Sequence, residues 1–551
     1  MAEPITYDEK KDVEAGQVVT DVLGISGEEG GFKTPGTLQR RMKNRHIAMI
    51  SLGGVIGTGL FLNAATGLMN GGPLGLLLAY LFCSTPALGV MLCLGEMVTL
   101  FPIQGGHVKL AERFVGRSWS FALGWLYWLN WILVFPAEII AVGVIIGYWD
   151  KDTNSTVYIM VAWVVVMLLN SFGAGVYGES EFWFASIKMI TIVGIIILGI
   201  IVDAGGGPRG DAIGFRYWNN PGAFNQYLGI EGSLGRFLGF WSCLVQASGA
   251  FIGFEIVALA AAESKNPRRN VPRAVKKVYI RICLFYILSS LIAGMLVSQD
   301  DEALNLGDST AASSPFVIAF QRAGISVVPS LVNACLVTAA WSAGNADVYT
   351  SSRALYGLAA AGNAPAIFLK TTKSGVPWVA LIPSGLVGLL GLTALKSSAG
   401  TIFNYFVNLT STAGLMCWFA IAVVYVRFNA GWKAQGHSRK DLPYYNRLAP
   451  FAGWYTLIVT FVICFFSGFK NFIGDNWDAP TFVTNYLPMP LIFILFLAHK
   501  FTTGAPVLAA GDMDFVTGLA EFDAQQIRDE EAERLAYSKM GRLAKFWDRI
   551  M

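Results

Sequence analysis

Apolar residues along the chain gather into about twelve continuous runs separated by polar stretches. Their approximate spans are 47–65, 73–99, 119–148, 157–173, 183–203, 236–261, 278–298, 327–350, 376–395, 401–426, 451–469 and 481–500. A helix needs about 20 apolar residues to cross a hydrocarbon core of ~30 Å, and these runs are close to or above that length. They are continuous rather than alternating, which argues against a β-barrel. The pattern predicts an all-α membrane protein of twelve transmembrane helices over residues 46–503. Residues 1–45 form a cytoplasmic N-terminal tail, and 504–551 a C-terminal one.

Composition sharpens this picture. Of 551 residues, 54% are hydrophobic and 14% charged, against about 25% charged in an ordinary soluble domain. Glycine, at 60 of 551 or about 11%, exceeds the usual ~7%. No three-residue glycine period is present, which excludes collagen, and the abundance of Ile, Leu, Val and Phe excludes disorder. The net charge of +3 points to neither nucleic acid nor an acidic partner. Seven cysteines (Cys83, Cys93, Cys243, Cys283, Cys335, Cys417, Cys464) all lie in apolar stretches and read as small packing residues. Residues 1–45 are polar and of mixed charge, so the first span itself is expected to direct insertion.

Basic residues set the orientation. Arg40, Arg41, Lys43 and Arg45 precede the first span. With that end inside, the loop after span six falls inside with Arg268, Arg269, Arg273, Lys276, Lys277 and Arg281, as does the loop after span ten with Arg427, Lys433, Arg439, Lys440 and Arg447. The loop after span seven, with Asp300, Asp301, Glu302 and Asp308, falls outside, and both termini are cytoplasmic. The sequon at Asn154 sits in an outer loop and is a glycosylation candidate; the one at Asn408 lies inside a span and is expected to be unused. The stretch from Ala520 to Leu535 reads as a solvated acidic helix.

Several classes drop out. Four histidines occur, His46, His107, His437 and His499. None pairs at metal-ligand spacing or lies mid-span, so no metal is expected. No phosphate-binding G-x-x-x-x-G-K-[ST] loop and no potassium-type filter is present, so neither an ATP-driven pump nor a cofactor enzyme is expected. Secondary transport is left as the leading class.

Two spans carry glycine interruptions that cost about 1 kcal/mol each relative to Ala in a helix. Span one contains Ser51, Gly53, Gly54, Val55, Ile56, Gly57, Thr58 and Gly59; span six contains Gly249, Phe251, Gly253, Phe254 and Glu255. Gly53 with Gly57 also fits a helix-packing G-x-x-x-G pattern, and packing is the better reading of Gly53. Gly-interrupted segments at corresponding positions of two halves point to a transporter binding site. Spans one and six are five apart, which predicts two inverted five-helix repeats plus two helices. Freed N–H groups at Gly57–Gly59 would hold a carboxylate. Freed carbonyls near Ser51 and Phe251 would accept from an ammonium, and a solute with both ends is an α-amino acid.

The chain resembles the fungal amino acid permeases of the amino acid–polyamine–organocation superfamily over roughly residues 35–500. The resemblance is carried by the run from Gly53 to Phe61, by Gly95-Glu96-Met97, Pro136-Ala137-Glu138 and the run from Glu181 to Lys188. Gly253-Phe254-Glu255, the run from Glu263 to Arg268 and the run from Trp341 to Asn345 complete it. It implies a LeuT-type fold and uptake of amino acids with protons at the plasma membrane. The tails would be contact points for trafficking or ubiquitination machinery.

An ionisable side chain inside a span is a functional candidate by default, costing at least ~2.5 kcal/mol at the helix centre. Lys188 lies a few residues into span five and either snorkels to the inner surface or carries the coupling. The resemblance implies the second: in proton-coupled relatives a lysine in this motif supplies the positive charge that sodium supplies elsewhere in the fold. Burial disfavours the charged form of an amine, which would let one bind and release a proton. Glu255, after the sixth-span break, reads equally as a hydrogen-bond acceptor for unwound backbone or a proton carrier. Glu138 is a pocket or helix-locking residue, the locking role slightly preferred. Glu96 is expected in an inner gate network with a loop Arg or Lys. Asp347 and Ser351 share a face of span eight.

Phe251 is the candidate gate over bound substrate, and Phe254, at a position often small or polar in the family, would shrink the pocket. Mid-span cations beside Lys188 are lacking, which favours neutral amino acids. The stretch Trp341 to Asp347 resembles the dicarboxylic subgroup, which leaves acidic amino acids as the alternative. A non-transporting sensor and an uncoupled exchanger remain open. The chain ends in Phe546-Trp547 without the Cys that often follows in the family, so a palmitoyl anchor there is not expected.

Overall fold

The computed structural model describes residues 57–519 apart from 104, 173, 257–266, 306–313 and 396, together with isolated positions between 522 and 535. The candidate residues Ser51, Val55 and Ile56 lie outside the described residues.

Over its described residues every predicted span from the second onward is largely helical, and the first is described only from residue 57. After a short turn at Thr58–Leu60, helix α1 (Asn63–Leu100) carries the end of span one and all of span two, broken at Gly72 ahead of Pro73. Then follow α2 (Gly106–Phe114), α3 (Arg117–Ile146), α4 (Ser155–Ser171), α5 (Ala174–Asp203) and α6 (Gly232–Phe251). Span seven is built from α7 (Pro267–Arg281) and α8 (Leu288–Leu296), joined by a wider turn at Ile282–Ile287. The second half continues with α9 (Pro315–Arg322), α10 (Val328–Ala360), α11 (Trp378–Gly388), α12 (Ala399–Ala434) and α13 (Ala449–Phe465). The chain's last span is the pair α14 (Ala479–Tyr486) and α15 (Pro488–Thr503), bent by 50°. Seven of the described helices are long and apolar enough to cross a membrane, or eight if that bent pair is one span.

Burial runs opposite to that of a soluble protein. Leu168, Ile190, Phe451 and Ile494 are exposed, while Glu96, Glu181, Lys188 and Asn345 are buried. Bilayer solvates the first set; the second must find its partners inside the bundle. The helices α1 and α6 pack along one another, and so do α3 and α10. Each pairing includes spans five apart, as two repeated halves require. Small residues allow the close approach: the Cys243 thiol donates to the Gly67 carbonyl at 3.0 Å and Cys83 to that of Leu244 at 3.4 Å.

Two helices begin earlier than hydropathy places them. Helix α5 starts at Ala174 rather than near 183 because its polar first turns are packed inside the bundle, where Tyr177 stacks on Tyr349 with centroids 3.7 Å apart. Helix α7 begins at Pro267, and although basic it is amphipathic, burying Val271, Val275 and Val278 on one face. Arg281, expected in the loop, is buried, with its guanidinium carbon 4.2 Å from the centre of the Phe254 ring.

Residues 504–519 do not stand away from the bundle. The Leu508 amide donates to Val115 O at 3.0 Å, Gln435 Nε2 to Met513 O at 2.7 Å, and Arg113 pairs with Asp514 at 3.1 Å. Met513 and Phe515 are buried, the latter stacked on Phe114 at 5.2 Å. Beyond them, Arg268 pairs with Asp523 at 2.5 Å.

Candidate functional site

Helix α6 ends at Phe251. Ile252 is extended (φ −60°, ψ 139°), Gly253 takes φ +95°, and helical geometry resumes at Phe254. A left-handed residue at 253 suits glycine, since a Cβ there would meet the following carbonyl. The last carbonyls of a helix have no partner within it, so this break frees acceptors beside Gly249 and Ala250. Across from it the chain runs through the turn Thr58–Leu60 into α1, presenting a helix N-terminus.

Between this break and that turn lies a cavity of about 80 Å³, room for several water-sized atoms. Gly57, Gly59 and Asn63 form one wall and Gly249, Ala250 and Ile252 another; Glu138 from α3 and Asp347 from α10 add two carboxylates. Aromatic and small polar groups of α12 close it, Phe403, Thr410 and Ser411 among them, with Trp131 and Tyr286. No lysine or arginine lines it among the described residues. Gly57 faces Glu138 closely: a Cβ at position 57 would stand 2.5 Å from Glu138 Oε1.

Behind this wall sits a buried cation, Lys188. Lys188 and Glu181 lie seven residues apart on α5, two turns along one face, and Lys188 Nζ is 3.8 Å from Glu181 Oε1, both side chains wholly inaccessible. Ser342 Oγ of α10 donates to Glu181 Oε2 at 2.8 Å, while Oε1 accepts no hydrogen bond. Glu138 and Asp347 lie within electrostatic reach of the ammonium. The cluster thus joins α3, α5 and α10 and touches the cavity through its two carboxylates.

The candidate residues divide plainly. Gly57, Gly59 and Glu138 line the cavity, and Thr58 lies between the two glycines. Phe251 and Phe254 do not line it: Phe251 stacks on Tyr286 at 4.7 Å, and Phe254 meets the same ring edge-on at 5.6 Å. Tyr286 is therefore the ring that reaches the cavity, backed by both phenylalanines. Glu255 also stands away from it, accepting from Trp418 Nε1 at 3.1 Å. This ties the resumed helix to α12.

Glu96 is buried in a separate network. Its Oε1 accepts from Arg439 Nη2 at 2.5 Å and from the Asn446 amide at 2.9 Å, and its Oε2 from Tyr425 Oη at 2.6 Å. A basic residue of the loop after span ten thus meets the carboxylate at the far end of α1.

Sequence reasoning missed Glu181 as a functional partner, although the seven-residue spacing to Lys188 was there to find. It also missed Asn63 and Tyr286 in the cavity wall, because single polar residues within apolar runs carry no pattern. Asn154 is exposed and caps α4, its Oδ1 accepting from the Thr156 amide at 3.0 Å. A glycan would attach through the other side-chain atom. Beside it, hydrogen bonds from Tyr158 Oη and from the Thr153 and Asp152 amides hold the Asp150 carboxyl well below the usual carboxylate range.

Residues 46–508 match the family model described as amino acid permease. The chain is 39% identical over 513 residues to a proline-specific permease of Emericella nidulans, covering 92% of this chain and 93% of that protein. It is 38% identical to a lysine-specific permease of Saccharomyces cerevisiae, covering 97% of this chain and 86% of that one. Among solved structures, a manganese transporter of Eremococcus coleocola superposes with a TM-score of 0.55 at 14% identity, covering 85% of this chain and 98% of that one. That likeness concerns the fold alone, which is the LeuT-type arrangement.

Proposed function

We propose that this chain, which belongs to the amino acid permease family, couples amino acid uptake across the plasma membrane to protons, with both termini cytoplasmic, and accepts a broad range of neutral L-amino acids. One observation carries this reading. The break in span six and the turn that leads into α1 meet at one small cavity, and a buried ammonium group stands behind its carboxylate wall.

The chemistry of such a site follows from its parts. N–H groups around Gly57–Gly59, with Val55 and Ile56 ahead of them, hold the substrate carboxylate at a helix N-terminus. The carbonyls freed at the end of α6 near Phe251, together with those near Ser51 in the sequence, accept from its ammonium. Tyr286, Trp131 and Phe403 take the side chain, and Phe251 acts as a gate through the ring stack it shares with Tyr286. Lys188 exchanges the coupling proton within a cluster that also holds Glu181, Glu138 and Asp347. Glu255 helps carry the movement of span six to α12. Asn154 is a glycosylation site, and the tails meet trafficking or ubiquitination machinery.

The relatives do not select the substrate, because proline- and lysine-specific proteins are almost equally similar. The cavity disfavours acidic amino acids, since two carboxylates and no cation line it among the described residues. The same two carboxylates support a second reading, cationic amino acids. A competition panel of all proteinogenic amino acids against labelled substrate, in transport-deficient cells at pH 5 and pH 7, separates these. The proposal expects neutral amino acids to compete most strongly and uptake to rise at the lower pH. Competition confined to lysine and arginine moves the assignment to the second reading. Absence of uptake for every amino acid overturns transport in favour of a sensor.

A further inference from the structure

A second pair of cavities lies away from the substrate site, on the surface where α1 meets α6. The first is an almost wholly apolar groove of about 490 Å³ formed by Leu78, Leu81, Phe82, Phe224, Phe237 and Phe240. The second is a polar pocket of about 470 Å³ formed by residues 221–226 with Gln299 and Asp300. Arg236 and Phe224 belong to both, so the two are continuous across the Arg236 side chain.

We propose that this paired groove binds a phospholipid whose head group carries a phosphate and a hydrogen-bond-donating ammonium, as phosphatidylethanolamine does. Depth supports the division of labour. At 1.5 Å per residue, Arg236 lies about 6 Å along α6 from its start, while Leu78 to Phe82 lie about 9–15 Å below the Gly72 break. The guanidinium thus stands at the level of a phosphate and the apolar residues at the level of an acyl chain. Leu78, Leu81 and Phe237 are 38%, 38% and 53% exposed on a face that meets bilayer.

The polar half is chemically specific. Arg236 is exposed and offers paired donors to a phosphate. Gln299 is 7% exposed, and its Oε1 is buried without a hydrogen-bond partner, as is Gln226 Oε1. Both oxygens face glycine backbone, at Gly72 and Gly235, so the acceptor left to a head group on this rim is the Asp300 carboxylate; it suits a hydrogen-bond-donating cation, which a primary ammonium is and a trimethylammonium is not. The rim is also fixed in place. The Leu74 amide donates to Ala223 O at 2.9 Å, and Asn225 Nδ2 to Met69 O at 2.5 Å, binding loop 221–226 to the break in α1. Phe82 and Phe240 meet edge-on at 6.3 Å on the groove floor.

The test is native mass spectrometry of the full-length, delipidated protein titrated separately with phosphatidylethanolamine, phosphatidylcholine and phosphatidylglycerol of matched acyl chains. Phosphatidylethanolamine is expected to be retained best. Arg236→Gln is expected to weaken it about tenfold, as loss of one hydrogen bond to a charged group would. Asp300→Asn should remove the advantage over phosphatidylcholine while leaving the phosphate contact. Leu81→Trp fills the groove without touching the polar half and should weaken all three lipids. Equal retention of the three lipids by the unaltered protein, or unchanged binding in Arg236→Gln, overturns the proposal. Because the readout is lipid retention, the result does not depend on which amino acid is carried.

Discussion

Two buried carboxylates paired with cations, Glu96 and Glu181, differ in how completely they are satisfied among the described residues. Glu96 receives three hydrogen bonds, from Arg439, Tyr425 and the Asn446 amide, all between 2.5 and 2.9 Å. Glu181 receives one, from Ser342, and meets Lys188 only at 3.8 Å, longer than a hydrogen bond. A buried carboxylate that accepts at both oxygens is a structural lock, and breaking it costs the partner's full desolvation. A buried carboxylate with one hydrogen bond and its cation at 3.8 Å gains less to offset that cost. The first arrangement is suited to closing one end of the bundle; the second leaves room for charge to change when a proton or substrate arrives.

Five substitutions, one of them paired with another, break or sharpen this contrast. Gly57→Val acts on the loosely satisfied side, since a side chain at 57 must displace Glu138. It is expected to abolish substrate binding, and normal affinity in an uptake assay would refute the carboxylate-binding role of this segment. Lys188→Met leaves Glu181 buried without its cation and should lower stability by about 3–5 kcal/mol. Thermal unfolding checks this, and adding Glu181→Gln should recover much of the loss; no recovery would show that the two residues are not energetically coupled. Arg439→Gln removes one of the three bonds to Glu96 while Tyr425 and Asn446 remain. With the guanidinium partly exposed, the expected cost is about 1–2 kcal/mol, read in the same unfolding assay. A loss as large as that of Lys188→Met would erase the distinction between the two pairs. Asn154→Gln lies far from both and should change only electrophoretic mobility, with uptake unaltered.

The span pattern was legible because bilayer imposes long continuous apolar runs, and the two glycine clusters because such runs make an interruption conspicuous. The basic partner of Glu96 was legible as a type, a loop Arg or Lys, though not as Arg439. What hydropathy hid lies where polar residues are internal. Tyr177 and Glu181 read as loop until they are seen packed against α10, and Arg281 read as loop until its contact with Phe254 is known. Docking of residues 504–519 was hidden for another reason. It rests on two apolar side chains, Met513 and Phe515, and on backbone carbonyls, which leave no periodic trace.

The central claim is that Lys188 couples a proton to amino acid accumulation through the loosely satisfied cluster. Purified protein in sealed vesicles, with an imposed pH gradient, measures concentrative uptake and substrate counterflow in the same preparation. The account predicts that the unaltered protein concentrates a neutral amino acid until a protonophore collapses the gradient. Lys188→Met should lose concentration while retaining counterflow. Concentrative uptake that survives in Lys188→Met, or that ignores the protonophore in the unaltered protein, would contradict it.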